Sequence, residues 1–395
     1  TWNAVWKSAT VIHNDGWSFE IFIPFSAIRF SKKNIQDWGM NITRRRQKTG
    51  QQVAWNPVDP NINGFLTQEG FWTGLQNIKP PLRLEFSPYF STYVNHYPYN
   101  TPGVKDWTSS VNGGMDVKYG INQALTLDMT LIPDFGQVQS DNQVLNLTPF
   151  EVKFNENSPF FTEVTELFNK GNLFYSRRVG GTPLHFYDVQ NELNPDEHIV
   201  KNPTETKLIN ATKISGRLQN GLGIGFFNAL TDPQYATVAD NAGNERKIQT
   251  SPLTNYNIIV LNQSLKHNSS ISFVNTNVWR SGADYDANVS AALFDFNDKK
   301  NMWNVGGNFF TSNLYGMPGQ KNISGYSHNI YFGKTSGRFN FNIAENLTDD
   351  KFNSNDLGYF TYNNFLDHYL WAGYRWIRPT SWYNNIYLNF NVTYS

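Results

Sequence analysis

Histidine is the side chain best suited to bind a metal or move a proton near neutral pH, and the seven histidines of this chain are scattered. None of them forms an H-E-x-x-H motif or a pair four residues apart, so their spacing predicts no zinc site. A G-x-S-x-G nucleophile elbow does not occur either. The chain has no cysteine, which excludes disulfides, thiolate metal sites and cysteine nucleophiles. The sequence therefore identifies no catalytic residue, cofactor or metal, and favours a protein that is not an enzyme.

Three weaker motifs lead to the same conclusion. The stretch GLGIG, with Gly221, Gly223 and Gly225, lacks the G-x-G-x-x-G spacing of a nucleotide loop, and small residues on one strand face explain it better. The carboxylates are too dispersed to select a glycosidase pair. The run 44–46 of three arginines is interpreted as a solvated or ion-paired face rather than as a phosphate site.

Sugar binding is the one chemistry for which the sequence offers candidates. Tryptophan faces flanked by amides can serve as platforms for a ligand, and four tryptophans of the first 80 residues are candidates, although a buried core tryptophan is the alternative interpretation for each. The ligand-binding candidates are Trp17, Trp38, Trp55 and Trp72.

Charge and composition restrict the partners of the chain. The 32 basic and 32 acidic residues cancel, so no net field attracts a nucleic acid. Charged residues make up only 16%, against about 25% in typical domains, while aromatic residues reach 16%. No apolar run approaches the ~20 residues that a transmembrane helix needs.

From residue 81 onward, the chain alternates apolar with small or polar residues in segments of about 8–12 residues separated by turn clusters. The clearest examples are LTLDMTL at 125–131, FNFNI at 339–343 and the final segment at 386–394. The polar side of these segments is mostly Asn, Ser, Thr, Gly and Tyr, and tryptophan and tyrosine gather near their ends. This pattern is typical of an antiparallel transmembrane β-barrel, and less so of a large soluble β-protein. The predicted fold is therefore all-β, with 81–395 as an incomplete outer-membrane barrel.

One segment interrupts the alternation. Residues 134–180 are too long for a turn and too apolar for a floppy loop, and EVTELF within them could form a short helical turn. Because exposed phenylalanines are costly in water, we expect this insert to fold into the barrel as a plug or cap rather than to pack outside on its rim. The residues expected to contact the lumen are Phe160, Phe161, Glu163, Glu166, Phe168, Arg177 and Arg178. The two arginines are expected to pair with Glu151, Glu156, Glu163 or Glu166.

Residues 1–80 are interpreted as part of a small β-sandwich. GWSFEIFIPF alternates as a strand does, DWGMNIT gives another short strand signal, and Pro80-Pro81 is a plausible hinge. Strand-like sequence runs into both termini, which are interpreted as cut points.

The first 180 residues also resemble a known family. The stretch LTLDMTLIPDFGQVQSDNQVLNLTPFEVKFNENSPFFTEVTELF…LFYSRRVG, preceded by GGMDVKYGI, resembles the signature of an uncharacterised family of Bacteroidetes outer-membrane barrels. The block DGWSFEIFIPFSAIRF…WGMNITRRR…AWNP is similar to the C-terminal part of family 9 carbohydrate-binding modules, which precede the barrel in that family. The resemblance implies an outer-membrane location with a periplasmic N-terminal domain.

Three functional hypotheses follow. The chain could be a ligand-binding or uptake component or channel of the outer membrane. It could be a structural or accessory subunit of a larger outer-membrane assembly or secretion complex. The third hypothesis, a membrane-embedded hydrolase, has no candidate residue. The expected partners are outer-membrane lipid, a glycan and other outer-membrane or periplasmic subunits, and not nucleic acid.

Overall fold

The computed structural model describes residues 6–28, 30, 33–78, 83–96, 107–122, 124–132, 151–154, 159–162 and 165–395. Within these residues the secondary structure is dominated by antiparallel β-strands, so the all-β prediction is confirmed. No described helix is both long and apolar enough to cross a membrane.

The N-terminal block forms three separate antiparallel pairs, in which β1 pairs with β2, β3 with β6 and β4 with β5. Most of its large apolar side chains are exposed, as a two-stranded ribbon has no second layer to cover them. The described part of the block therefore has strands where the sequence predicts them, but they do not pair into two packed sheets. The strands are β1 Lys7–His13, β2 Gly16–Phe22, β3 Ile35–Met40, β4 Thr43–Arg45, β5 Gln52–Ala54 and β6 Gly70–Gln76.

The rest of the chain is built on one sheet of thirteen strands, each paired antiparallel with its neighbours. In spatial order from one edge the strands are β7 Leu84–His96, β8 Trp107–Gly120, β9 Leu125–Leu131, β11 Leu208–Arg217, β12 Leu222–Thr231, β15 Thr254–Ser264, β16 Ser270–Arg280, β17 Asp286–Asn297, β18 Trp303–Tyr315, β19 Ile323–Lys334, β20 Phe339–Thr348, β21 Phe365–Trp376 and β22 Ile386–Tyr394. Among the described residues, β7 and β22 are edge strands with one partner each. The prediction of a large antiparallel sheet is thus confirmed.

Two further units lie in connections of this sheet. Strands β10 His198–Lys201, β13 Gln234–Ala239 and β14 Glu245–Ser251 form a small sheet with its own core around Val189, Val238 and Ile248. Two short helices, α1 Pro159–Thr162 and α2 Thr165–Phe168, lie in the segment between β9 and β11. The second confirms the helical turn that EVTELF predicts.

The two faces of the large sheet differ in burial. Alternate residues of β9, β11, β12, β15, β16 and β17 are buried on the face that carries the insert, and the intervening residues point to the opposite, more accessible face. We call these the inner and the outer face. On β9 the buried residues are Thr126, Asp128 and Thr130, while the leucines of the same strand are the more accessible ones.

Candidate functional site

The described part of the insert is packed on the inner face around Phe227 of β12. Its ring, 1% exposed, lies 5.2 Å from that of Phe174 between ring centroids and 6.1 Å from that of Phe161. Phe160 and Phe168 approach the same ring, each at 6.5 Å. Three of the predicted plug residues therefore meet on one strand of the sheet, and residue 227 is the anchor that the sequence did not single out.

Two glycines of the GLGIG stretch allow α2 to approach the strand closely. A Cβ atom at Gly223 would lie 2.9 Å from Cδ2 of Leu167, and one at Gly225 would lie 3.3 Å from the ring of Phe168. Both glycines occupy inner-face positions of β12. This confirms that small residues on one strand face, and not a nucleotide loop, explain the motif.

A buried lysine fixes the first helix to the sheet. Lys213 of β11 donates from Nζ to the backbone oxygen of Phe160 at 2.6 Å, and the same Nζ lies 3.9 Å from Oδ2 of Asp128 on β9. Both charged side chains are buried, and a buried charge is tolerated only when it is paired or hydrogen-bonded. The signal available in the sequence was a charged residue flanked by small or hydroxyl residues on each of two strand faces, Asp128 between Thr126 and Thr130 and Lys213 between Ala211 and Ser215.

The arginines of the insert are only partly paired as expected. Arg178 forms a bidentate ion pair with Glu151, with N···O distances of 3.1 Å and 2.6 Å. Its Nε also donates to the backbone oxygen of Gly358 at 3.0 Å. Arg177 is half-buried beside it. Glu166 is not bound by either of them, because α2 directs it to Arg217 of β11, at 2.8 Å.

Glu156 and Glu163, the other two predicted acidic partners, lie outside the described residues.

A second buried ion pair closes the site from the connection 349–364, between β20 and β21. Nη2 of Arg280, at the end of β16, lies 2.5 Å from Oδ1 of Asp356, and both side chains are more than nine-tenths buried. The guanidinium also donates to the backbone oxygen of Tyr285 and stacks over its ring at 4.4 Å. Leu357 adds an apolar contact to the core that the insert forms.

A histidine that follows the insert in the chain contacts the connection between β16 and β17. Nδ1 of His185 lies 2.9 Å from Oδ2 of Asp188, and Nε2 lies 2.7 Å from Oδ1 of Asp284. Burial alone lowers the pKa of His185, but the hydrogen bonds and charges of Asp188 and Asp284 outweigh it and raise the pKa. With a carboxylate at each nitrogen, the protonated ring is the favoured form.

This cluster predicts a pH-dependent contribution to stability. Because the folded-state pKa lies above the unfolded value of about 6.5, the contribution is fully present below that pH and is lost as pH rises through the folded-state pKa. We expect His185→Ala to lower the melting temperature more at about pH 5.5 than at about pH 8.5. His198→Ala, which removes an exposed histidine from β10, is the control. An equal loss at both pH values for His185→Ala would contradict the assignment.

The four candidate tryptophans of the N-terminal block do not converge. Trp38 and Trp72 stand opposite each other on β3 and β6, with ring centroids 6.1 Å apart in an edge-to-face arrangement. Trp17 is exposed on β2 beneath Arg44, and Trp55 is exposed after β5. The structure therefore brings two of the four together, and their binding role remains a prediction.

No three histidine, aspartate or glutamate side chains within the described ranges are arranged to hold a metal ion. The interactions that organise the site are instead hydrophobic contacts and ion pairs between segments far apart in the chain.

Comparison with known proteins finds one family. Residues 80–395 match the family described as Domain of unknown function (DUF5916). No curated protein and no solved structure matches the chain.

Proposed function

The chain belongs to the DUF5916 family, and we propose that it is an outer-membrane β-barrel protein that binds or takes up a ligand and is occluded by its own insert. The large sheet would curl around the insert, with lipid covering the outer face. The N-terminal block would be a periplasmic domain similar to family 9 carbohydrate-binding modules, as in the Bacteroidetes barrels that the sequence resembles. The observation that carries the proposal is the extensive apolar surface that the outer face of the sheet exposes.

Both faces of the large sheet carry apolar side chains. The buried inner face combines the apolar core under the insert with polar residues such as Thr126, Lys213, Ser215 and Thr276, whereas the outer face exposes large apolar side chains on almost every strand. The outer face of a soluble antiparallel sheet is instead polar. Contiguous apolar surface of this extent needs a cover, which supports lipid on the outer face. The exposed apolar residues include Phe226, Ile259, Leu261, Ile271, Phe273, Phe296, Val305, Phe309, Ile330, Phe332, Ile343, Leu370, Phe390 and Val392.

We call the end of the sheet at which the insert lies the upper end, and the opposite end the lower end. The apolar surface of the outer face ends along an oblique line below the upper end, which supports strands that are tilted across a bilayer. On successive strands from β12 to β21, the outward-facing polar residues directly above the apolar surface are Asn228, Asn257, Asn275, Ser290, Thr311, His328, Glu345 and His368.

The slope of this boundary can be measured on β19. Through the strand register, Asn228 of β12 aligns with Ser324 of β19, and His368 of β21 aligns with Ile330 of β19. The boundary therefore shifts by 330 − 324 = 6 residues over the seven strand steps from β12 to β21. With about 3.3 Å per residue and about 4.8 Å between strands, this corresponds to a tilt of roughly 30°. Strands of membrane barrels are tilted by about 35–45°.

The aromatic residues and the lengths of the connections also distinguish the two ends of the sheet. Trp279, Tyr315 and Tyr326 lie outward above the boundary, and Trp303 and Trp376 lie at the opposite end of their strands, as interfacial girdles do. The upper end carries the long connections 232–253 and 349–364 as well as the insert. The lower end carries mostly short turns, namely 218–221, 265–269, 298–302 and 335–338. Outer-membrane barrels have long extracellular loops and short periplasmic turns. This supports placing the upper end outside the cell and β7, with the N-terminal block before it, on the periplasmic side.

A second candidate function is that of a structural or accessory subunit of a larger outer-membrane assembly. The described part of the insert covers the inner face from β9 to β18 and is held by apolar contacts and by the hydrogen bond from Lys213, an arrangement that favours a closed pore. Conductance in planar bilayers would favour a channel. Stoichiometric co-purification of partners in mild detergent, without conductance, would favour the subunit.

The membrane proposal is tested by placing one charge on the outer face. Arginine near the middle of a bilayer costs about 2–4 kcal/mol on a barrel, so we expect Ile330→Arg to lower the free energy of unfolding from lipid vesicles by that amount. Ile199→Arg is the matched control, since Ile199 is 36% exposed on β10, outside the large sheet, and Ile330 is 38% exposed. We expect the control to change the free energy of unfolding by less than about 0.5 kcal/mol. Equal effects of the two variants, or a compact monomer that stays in solution without lipid or detergent, would overturn the proposal.

A further inference from the structure

A cavity of about 360 Å³ lies at the lower end of β18–β21, among inward-facing residues of these strands. Its volume is within the ~300–1,000 Å³ typical of small-molecule sites. The side chains that define it are Asn304, Tyr331, Asn340, Asn342, Trp371 and Arg375. None of the described residues of the insert lines it, so the contacts described above do not account for it.

The lining combines planar amides with aromatic rings. Trp371 lies along its own strand over Gly373, where a Cβ atom would come within 2.7 Å of its Cζ2. The three asparagines each offer a donor and an acceptor, and the indole offers a flat apolar face. A ring that is apolar on its faces and bears hydroxyl groups around its edge, as a sugar does, satisfies both kinds of group.

One amide of the cavity lacks a partner. Asn340 is 8% exposed and its Nδ2 donates to the backbone oxygen of Gly337 at 3.4 Å, but its Oδ1 accepts no hydrogen bond. A buried acceptor without a donor is unfavourable, and a turn of the Asn340 side chain toward the cavity would let a hydroxyl group of a ligand supply the missing donor.

The charge of the cavity selects among sugars. Lys334 and Arg375 line it, and its lining contains no carboxylate among the residues that the structure describes. Asp295, which is not among the lining residues, accepts hydrogen bonds from the hydroxyl of Tyr331 at 2.6 Å and from Nδ2 of Asn304 at 3.2 Å. Arg375 is positioned by a hydrogen bond from Nε to the backbone oxygen of Gly337 at 3.1 Å. A guanidinium held in this way is suited to a carboxylate.

The turn at the edge of the cavity also contacts the N-terminal block. The nitrogen of Gly337 donates to the backbone oxygen of Asn61 at 2.9 Å, and Asn63 donates to the hydroxyl of Ser336 at 3.0 Å. The same turn therefore touches the cavity on one side and the N-terminal block on the other.

We propose that this cavity binds an acidic sugar, with the ring on Trp371, a hydroxyl group on Asn340 and the carboxylate on Arg375. The inference deepens the ligand-binding function proposed above and rests on it. It concerns a site in the large sheet and does not depend on the four tryptophans of the N-terminal block.

The test is calorimetric titration of the full chain in detergent with glucuronic acid, glucose and inorganic sulfate as separate probes. We expect glucuronic acid to bind at least tenfold more tightly than glucose or sulfate. Trp371→Ala should weaken glucuronic acid binding at least tenfold, and Arg375→Gln should remove the preference over glucose. Trp303→Ala is the matched control, because Trp303 is stacked on Phe332 on the outer face of β18.

Three outcomes would overturn the proposal. They are no binding of glucuronic acid, equal weakening by Trp303→Ala and Trp371→Ala, and sulfate binding as tight as that of glucuronic acid. If any of these outcomes occurs while Ile330→Arg still lowers the free energy of unfolding more than Ile199→Arg does, the sugar site is rejected and the membrane proposal stands.

Discussion

Phe227→Ala is expected to release the insert from the sheet and to expose it to protease. Truncating a fully buried phenylalanine costs about 3–5 kcal/mol, because the transferred area is lost and a cavity remains. Four rings of the insert contact this one side chain, so the loss falls on the docking of the insert. At 1.4 kcal/mol per tenfold, the population of the open form should rise by about 100-fold or more.

The measurement is tryptic cleavage after Lys170, Arg177 and Arg178, which lie in the docked part of the insert. Phe226→Ala is the matched control, because its ring is 37% exposed on the outer face of the same strand, away from the insert rings that surround Phe227. The control should be cleaved at the rate of the unaltered chain. Cleavage at the same rate in both variants would mean that the insert is not held by the inner face.

Asp356→Ala is expected to destabilise the protein by about 3–5 kcal/mol, since it leaves the guanidinium of Arg280 buried without its charge partner. The pair joins the end of β16 to the connection 349–364, which also holds Leu357 against the core of the insert. The melting temperature should therefore fall well below that of Asp350→Ala, a change at an exposed aspartate of the same connection.

A double substitution separates loss of the charge pair from loss of packing. Arg280→Met with Asp356→Leu removes both charges and keeps apolar volume, and such replacements are often neutral or stabilising. We expect the double variant to regain most of the stability that Asp356→Ala loses. A double variant as unstable as the single one would indicate that the hydrogen bond to Tyr285, and not the charge, is what matters at this position.

Together these interactions describe an insert held from two sides. Lys213 and Phe227 hold it to the sheet, and Arg178 and Leu357 hold it to the connection 349–364. Any ligand path along the inner face between β9 and β18 would require both sets of contacts to open. The sugar cavity lies at the other end of the sheet, where a ligand can be bound without moving the insert.

The N-terminal block is the part for which the sequence was least informative. Its strands were predictable from alternation, but whether Trp17 or Trp38 meets another tryptophan depends on which strands pair. Hydrophobic alternation is the same for a strand in a sandwich and for one in a two-stranded ribbon, so this difference was not available from the pattern.

The strands of the large sheet and the placement of the phenylalanines in a non-strand insert followed from the sequence by itself. Both are local properties, because alternate side chains of a strand point to opposite faces and a segment without alternation cannot join the ladder. Arg280 contacts Asp356, and Phe160 contacts Phe227, only because strand pairing brings together segments that are distant in the chain. In the same way, only the fold determines that Glu166 binds Arg217 and not Arg177 or Arg178. The tertiary structure alone decided these partners and the sugar cavity, since register and curvature depend on all the strands together and not on any single segment.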